Sequence, residues 1–112
     1  MTKKKYMAAF LVPIGTDKFL REDGWEFEGS DRLSNEVAGH LMAALGLNFV
    51  ETYSGIKRYV GENIGMSLFL DDNNEVENIY FQVSGNSLKA LTELCQDPQV
   101  SSKAEMFVPE KE

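Results

Sequence analysis

A run of oxygen-bearing side chains is the first place where this sequence could do chemistry. It reads Asp71-Asp-Asn-Asn-Glu-Val-Glu77, and its first, third and fifth positions carry the oxygen donors that calcium prefers. The sixth position of a calcium loop needs glycine and is Val76 here, while the twelfth needs a bidentate glutamate and is Gln82. The flanking segments also have the alternation of strands. We therefore interpret the run as the solvated turn of a hairpin, and we predict no metal site.

Nucleophilic catalysis would need a serine or cysteine beside a histidine base, and the chain has one histidine, His40, and one cysteine, Cys95. Ser34, His40 and Asp31 can be written as a triad, but the sequence has no nucleophile elbow or oxyanion motif to support it. His40 is expected at the edge of an apolar helix face. Cys95 is expected among leucines, where a thiol is inert. We predict no catalytic residue, and a single cysteine also excludes an internal disulfide.

Glycine and small polar residues at 85–87 could bind a phosphate through the free amides at the start of a helix. The pattern Gly-x-x-x-x-Gly-Lys of a phosphate-binding loop is absent from this sequence. A helix cap made by Asn86 or Ser87 explains the same residues. We therefore predict no nucleotide and no other cofactor.

Two groups of residues indicate a binding surface instead of a catalytic centre. Three tyrosines lie on strand faces predicted to point away from the core, and tyrosine is favoured at interfaces because it combines a large ring with a polar end. Acidic residues cluster in an early hairpin and at the start of the first helix, where they could steer a basic partner. The predicted binding surface consists of Trp25, Glu26, Glu28, Tyr53, Tyr59, Tyr80 and Gln82.

The charge balance narrows the class of partner. Eighteen acidic residues against eleven lysines and arginines give a net charge of −7, which has the wrong sign for binding nucleic-acid phosphates. Two small basic groups, at residues 3–5 and 57–58, are interpreted as a solvated terminus and a solvated strand face. We therefore predict no nucleic-acid binding, and we expect a basic protein partner.

The location expected from the sequence is the cytoplasm. Three lysines precede an apolar segment at residues 6–15, but no small-residue cleavage site of a signal peptide follows it. The sequence also has no run of eighteen apolar residues that would predict a membrane span.

The elements that must position these residues begin with a continuous apolar run at residues 6–12, which predicts a strand buried on both faces. Residues 19–28 predict a hairpin with Asp23-Gly24 at its turn and with one apolar and one acidic face. The apolar stripe of Leu33, Val37, Leu41, Ala44 and Leu45 predicts a helix at residues 32–45. Ser30 and Asp31 are its expected caps, and Gly46 is its expected terminator.

The second half of the chain predicts strands at residues 48–53, 56–60, 66–70, 76–83 and 104–108, and a second helix that Asp97-Pro98 ends. Ile79, Phe81 and Val83 are expected to face the core, with Tyr80 and Gln82 on the wet face. The order of elements predicts one α+β domain over residues 1–112, with residues 110–112 as a frayed tail. The expected fold is an antiparallel sheet with both helices on one face, a ferredoxin-like split β-α-β arrangement with an inserted hairpin.

Three functions fit these features. The first is a non-catalytic protein-binding domain, for example a bacterial immunity or inhibitor protein that covers a basic partner. The second is a small-molecule-binding or enzymatic α+β dimer, with a pocket between sheet and helices. That pocket would be lined by Trp25, Phe27, Tyr53, Tyr59 and His40. The third is a subunit of a larger assembly, which would expose a sizeable apolar patch when isolated.

Overall fold

A six-stranded antiparallel sheet forms the centre of this α+β protein, as the computed structural model shows. The structure describes residues 6–22 and 24–109, apart from the side chains of residues 85 and 86. The strands are β1 (Tyr6–Pro13), β2 (Asp17–Arg21), β3 (Gly24–Glu28), β4 (Asn48–Tyr53), β5 (Ile56–Gly61), β6 (Ile64–Leu70), β7 (Val76–Ser84) and β8 (Ala104–Phe107). The helices are α1 (Asn35–Leu45), α2 (Gly85–Cys95) and α3 (Pro98–Ser101). The predicted α+β class with an antiparallel sheet is confirmed.

The sheet has the strand order β4-β5-β6-β7-β1-β8, and β2 and β3 form a separate two-stranded sheet. Strands β4 to β7 are consecutive in the chain and each pairs with the next. The first strand, β1, pairs with β7 on one side and with β8 on the other. The connection from β7 through α2 to β8 therefore places its two strands on either side of β1.

The register of the sheet separates its two faces. Leu11 pairs with Ile79, and Phe81 pairs with Met66, and all four side chains belong to one buried cluster. Val37 and Leu41 of α1 and Leu91 of α2 belong to the same cluster. This face is called the core face below. The opposite face, called the outer face, carries a row of paired residues across five strands. That row is Arg58, Ser67, Tyr80, Phe10 and Phe107.

Helix α1 begins at Asn35 and not at residue 32, so the predicted start was three residues early. Its N-cap is Ser34, whose Oγ accepts a hydrogen bond from the backbone N–H of Val37 at 3.3 Å. Leu33 cannot join the helix because its N–H donates to the carbonyl of Val76 at 2.9 Å, in an isolated bridge. The predicted caps Ser30 and Asp31 therefore lie outside the helix.

The end of α1 was predicted correctly from its glycine. Gly46 adopts the left-handed conformation, with φ of 63°, which is favourable for a residue without a Cβ. The N–H of Leu47 then donates to the carbonyl of Met42 at 3.0 Å, as the helix-ending motif requires. One feature of the predicted stripe is wrong: Ala38 is buried on this helix, whereas Ala44 is exposed.

Helix α2 turns an apolar face toward the core, and a short helix follows it. Leu91 and Cys95 are buried, and Leu88 and Leu94 pack against the same cluster. Helix α2 ends at Cys95, with Gln96 as its C-cap. Asp97 caps the start of α3, because its Oδ1 accepts a hydrogen bond from the N–H of Gln99 at 3.0 Å. The predicted frayed tail at residues 110–112 lies outside the described residues.

The hairpin formed by β2 and β3 differs from the prediction at Gly24. Arg21 pairs with Gly24, so Gly24 begins β3 instead of lying in the turn, and it has a positive φ of 120°. The predicted partition of its faces is confirmed, because Trp25 and Phe27 are half-buried whereas Glu26 and Glu28 are exposed. The other predicted turn residue, Asp23, lies outside the described residues.

No helix formed by the described residues combines the length and the apolar character that crossing a membrane requires.

Candidate binding surface

An aromatic cluster holds the β2–β3 hairpin against the outer face of the sheet. The ring of Phe27 lies 4.9 Å from that of Phe10 on β1, and the ring of Trp25 lies 4.7 Å from that of Phe107 on β8 in an edge-to-face arrangement. Phe10 in turn lies 5.2 Å from Tyr80. Such pairs add about 0.5–1.5 kcal/mol each to the burial of their surface. The hairpin is therefore attached by its apolar side over β1 and β8.

Lys18 adds a polar contact between the hairpin and the sheet. Its Nζ forms an ion pair with Glu105 on β8 at 2.5 Å and lies 5.9 Å from the centre of the Phe107 ring. Because Lys18 pairs with Phe27 in the register of the hairpin, it points to the same side as the aromatic residues. The opposite side of the hairpin is thereby directed to solvent.

That solvent-directed side is the acidic hairpin face, formed by Asp17, Phe19, Arg21, Glu26 and Glu28. Asp17 pairs directly with Glu28, and Phe19 pairs with Glu26. Arg21 donates to Glu26 at 2.8 Å and lies 5.2 Å from the Phe19 ring. All five side chains are exposed, so the face combines an accessible aromatic ring with an excess of carboxylates.

A groove on the outer face lies beside the hairpin and has a volume of about 370 Å³. It is called the outer-face groove. Gly65 of β6, which has no side chain, pairs with Gln82 of β7 and forms part of the groove floor. A Cβ added to Gly65 would have no neighbouring atom within 4 Å. The volume falls within the range of about 300–1,000 Å³ found for small-ligand sites.

The lining of the outer-face groove is polar and aromatic. Ser67, Tyr80 and Gln82 line it, and their side-chain polar atoms have no hydrogen bond to another described residue. Arg58 is the one charged side chain among the described lining residues, and its Nη1 donates to Glu51 at the rim. In an acidic chain, this groove is therefore free of carboxylates among the residues that line it.

The structure distributes the predicted binding residues over four places. Glu26 and Glu28 lie on the acidic hairpin face, and Trp25 lies beneath it in the aromatic cluster. Tyr80 and Gln82 line the outer-face groove. The remaining two tyrosines lie on the β4–β5 hairpin, and they differ in orientation.

Tyr59 packs against the buried cluster on the core face and lies 5.6 Å from the ring of Phe49, although its strand was expected to turn it outward. Its pairing with Met66 on β6 places it on that face. Tyr53 is exposed on edge strand β4, as expected.

The residues considered for a pocket between sheet and helices do not come together. Trp25 and Phe27 are on the outer face, whereas His40 is on α1 and its Nε2 lies 3.6 Å from Oδ2 of Asp97. His40 is partly buried at the edge of the core, and Ser34 near it in sequence is engaged as a helix cap. These positions give His40 no nucleophile to activate among the described residues.

Cys95 occupies the environment predicted for an inert thiol. It is buried, and burial raises the pKa of the thiol to about 11. Since the thiolate is the reactive form, this thiol is a poor nucleophile near neutral pH.

The acidic turn at residues 71–77 organises its own backbone. Asp71 accepts hydrogen bonds from the N–H groups of Asn73 at 2.8 Å and Glu75 at 2.9 Å. Its other oxygen accepts from Nε of Arg32 at 2.8 Å, and this hydrogen bond holds the pKa of Asp71 below its usual value. Arg32 was not singled out in the sequence, where nothing local relates it to a turn 39 residues away. No group of three or more potential metal ligands occurs within residues 6–22 and 24–109.

Comparisons of this chain with protein-family models, with curated proteins and with solved structures found no match.

Proposed function

We propose that this chain is a non-catalytic protein-binding domain whose acidic hairpin face covers a basic partner, in the manner of a bacterial immunity or inhibitor protein. The observation that carries the proposal is the direct pairing of Asp17 with Glu28 on that face. Like charges opposite each other on a strand pair destabilise it. A lysine or arginine of a partner placed between these carboxylates would relieve the repulsion. The relief of this repulsion would then contribute to the free energy of binding.

An apolar group beside these carboxylates supports a protein partner over a small cation. Phe19 pairs with Glu26 on the acidic hairpin face and is exposed, and an accessible aromatic ring inside a polar rim is a common feature of protein interfaces. The net charge of −7 would steer a basic protein toward the domain from a distance. Contact with Phe19 and the carboxylates would then provide the specific part of the complex.

The aromatic attachment of the hairpin also supports this proposal. A binding surface that is rigid before association loses little conformational entropy when the partner arrives. Trp25 and Phe27 hold β3 on the sheet through their ring contacts. Glu26 lies between these two residues in the strand and Glu28 follows them, so the backbone positions of both glutamates are fixed. We also infer that the domain acts in the cytoplasm, where a chain with one buried thiol needs no disulfide.

The finer arrangement of the fold is part of the same proposal. We infer that α1 and α2 both cover the core face, which is supported by the presence of Val37, Leu41 and Leu91 in one cluster. We also infer that β7, α2 and β8, with β1 between the strands, form a split β-α-β unit of the ferredoxin-like kind. Such an arrangement leaves the outer face to the hairpin and to any partner.

A pair of charge-matched double variants tests the proposed function. Asp17→Asn with Glu28→Gln removes two charges from the acidic hairpin face, and Glu75→Gln with Glu93→Gln removes two exposed charges elsewhere. Tagged wild type and both variants would be cross-linked in the source cells, and the captured proteins quantified by mass spectrometry. We expect one basic protein that wild type and the second variant capture and that the first variant loses. Equal capture by both double variants would contradict a role for this face.

A second candidate function, binding of a small polar molecule, is favoured by the outer-face groove. Ser67, Tyr80, Gln82 and Arg58 offer converging hydrogen-bonding groups beside an open floor at Gly65. Gly65→Val would fill that floor, while Gly39→Ala on α1 adds a methyl group where there is also open space. In a thermal-shift screen of metabolites, a ligand of the groove should stabilise wild type and Gly39→Ala but not Gly65→Val. A ligand that stabilises all three equally would bind elsewhere.

A further inference from the structure

Strand β4 is an open edge of the six-stranded sheet. It is the terminal strand, and all six of its residues are exposed. Three of them are large apolar side chains: Phe49 is 57% exposed, Val50 is 48% exposed and Tyr53 is 62% exposed. The other edge strand, β8, is shorter and is flanked by the hairpin through Trp25 and Lys18. Open edge strands pair readily with another strand, and most proteins protect them.

The turn after β4 determines which backbone groups face the open edge. Ser54 and Gly55 have φ angles of 47° and 77°, which are the positive values of a two-residue type I′ turn. The residues flanking such a turn, Tyr53 and Ile56, exchange both hydrogen bonds with each other. Because these groups alternate along a strand, the N–H and C=O of Thr52 point away from β5. Thr52 therefore offers a donor and an acceptor to an additional strand.

We propose that the open edge of β4 binds β4 of a second copy of this chain, antiparallel and around a two-fold axis at Thr52. In this register Thr52 lies opposite Thr52 of the second copy, and each exchanges N–H and C=O with the other. Glu51 then lies opposite Tyr53 of the second copy, and the reverse pair is equivalent. A threonine opposite a threonine can stabilise a strand pair, and a glutamate opposite a tyrosine brings no like charges together. Identical charges placed opposite each other destabilise a strand pair.

Charge supports a second copy as the occupant. A register centred on Glu51 would oppose two carboxylates, so the Thr52-centred register is preferred. The hairpin of β4 and β5 carries Lys57 and Arg58 against the single acid Glu51, so its local charge is not negative like that of the whole chain. The hairpin that carries the acidic hairpin face packs over β1 and β8, at the other end of the sheet. Two copies joined at β4 therefore keep their most acidic surfaces apart.

The β-bulge in β4 sets the expected strength of the dimer. The register between β4 and β5 shifts between Phe49 and Glu51, and a bulge bends a strand and interrupts its pairing. Regular pairing is thus confined to the part of β4 nearest the turn. We therefore expect a reversible dimer whose population depends on protein concentration. Its formation does not require a partner at the acidic hairpin face.

Sedimentation velocity with charge-swapped variants tests the dimer and its register together. Wild type and the neutral control Thr52→Val should both change from monomer to dimer as the concentration rises to about 1 mM. At the same concentration, Thr52→Lys and Thr52→Glu should each show a larger fraction of monomer than wild type, because identical charges meet at the two-fold axis. An equimolar mixture of these two variants should dimerise more than either alone, since opposite charges then meet.

A backbone variant separates strand pairing from side-chain contact. Thr52→Pro removes the N–H that faces the open edge and no hydrogen bond to β5, so it should fold and stay monomeric. Circular dichroism and thermal unfolding would establish that each variant is folded. The proposal is overturned if wild type stays monomeric up to about 1 mM, or if Thr52→Lys dimerises as wild type does. A mixture of the charge variants that dimerises no better than each variant alone would overturn the register.

Discussion

Asp17 and Glu28 lie directly opposite each other on the acidic hairpin face, and within the described residues neither carboxylate forms an ion pair. This relationship makes a prediction about stability that does not depend on any partner. Asp17→Asn should raise the free energy of unfolding by about 0.2–0.5 kcal/mol at low ionic strength, because it removes a repulsion between exposed charges. Urea unfolding measures the change.

The control for Asp17→Asn is Glu93→Gln, which removes an exposed charge without a cross-strand neighbour. The gain of Asp17→Asn over this control should shrink as salt is added, since salt screens exposed charges. If Asp17→Asn is no more stable than Glu93→Gln at low salt, the two carboxylates do not repel each other as their register implies.

The single tryptophan reports whether the hairpin is attached to the sheet. Phe107→Ala removes the ring against which Trp25 packs at 4.7 Å, so we expect a red shift of the tryptophan emission. The free energy of unfolding should fall by about 1–3 kcal/mol, less than for a fully buried phenylalanine. Phe49→Ala is the control, because the Phe49 ring is largely exposed and contacts Tyr59 on β5 instead of Trp25. An unchanged emission of Phe107→Ala would show that the hairpin is held in another way.

Two glycines close together in the chain should respond oppositely to alanine. A Cβ at Gly65 meets no atom within 4 Å, so Gly65→Ala should raise stability by about 0.5–1 kcal/mol by restricting the unfolded chain. A Cβ at Gly61 would lie 2.9 Å from Cδ2 of Leu47 and 3.3 Å from the carbonyl oxygen of Leu45. Gly61→Ala should therefore cost about 1–3 kcal/mol. Urea unfolding distinguishes the two, and a loss of stability in Gly65→Ala would mean that the groove floor is closed.

The contact between Arg32 and Asp71 predicts a pH dependence. The hydrogen bond from Arg32 lowers the pKa of Asp71 below its ordinary value of 3.8, so the folded protein binds this proton less readily than the unfolded chain. The resulting stability is present above pH 3.8 and is lost as the pH falls through the lower folded value. Asp71→Asn removes this contribution. The stability of wild type relative to Asp71→Asn, measured by urea unfolding between about pH 2 and 6, should therefore decline toward the acid end. A difference that is constant with pH would contradict the contact.

Cys95 should be unreactive while the protein is folded. With its pKa raised to about 11, about one thiol in a thousand is ionised at pH 8, and burial also excludes the reagent. A colorimetric disulfide reagent should therefore label the native protein far more slowly than the urea-unfolded chain. Rapid labelling of the native protein would mean that α2 opens easily.

The two ends of α1 illustrate what sequence reasoning reached and what it did not. Its C-terminus depends on Gly46 and Leu47, which are local, and the prediction was correct. Its N-terminus depends on a hydrogen bond between Leu33 and Val76, which are distant in the chain. A local pattern could not distinguish Ser34 from Ser30 as the cap, because both are suitable residues.

The candidate surface shows the same division. The alternation of Trp25, Glu26, Phe27 and Glu28 predicted the two faces of the hairpin correctly. Where the hairpin packs depends on Phe10 and Phe107, and no local pattern relates these residues to it. Tyr59 was directed to the wrong face because apolar residues occur on both faces of β5, so only its pairing with β6 decides the orientation.

Helix α3 was missed although a signal for it was present. Asp97-Pro98 was interpreted as the end of α2, which is correct. The same pair also has the aspartate cap and first-position proline that favour the start of a helix. A residue pair that stops one helix can therefore begin another.

The position of β1 between β7 and β8 has a consequence for how the chain acquires its fold. In the sheet Phe10 pairs with Tyr80 and with Phe107, so the first strand finds its neighbours only in the last third of the chain. Proteins dominated by such distant contacts fold slowly, because the chain loses the entropy of closing a long loop before the stabilising contacts form. During synthesis the apolar β1 emerges well before β7 and β8 and waits unpaired. The β4–β7 meander, whose contacts are local, is the part expected to form first, as a template onto which β1 docks.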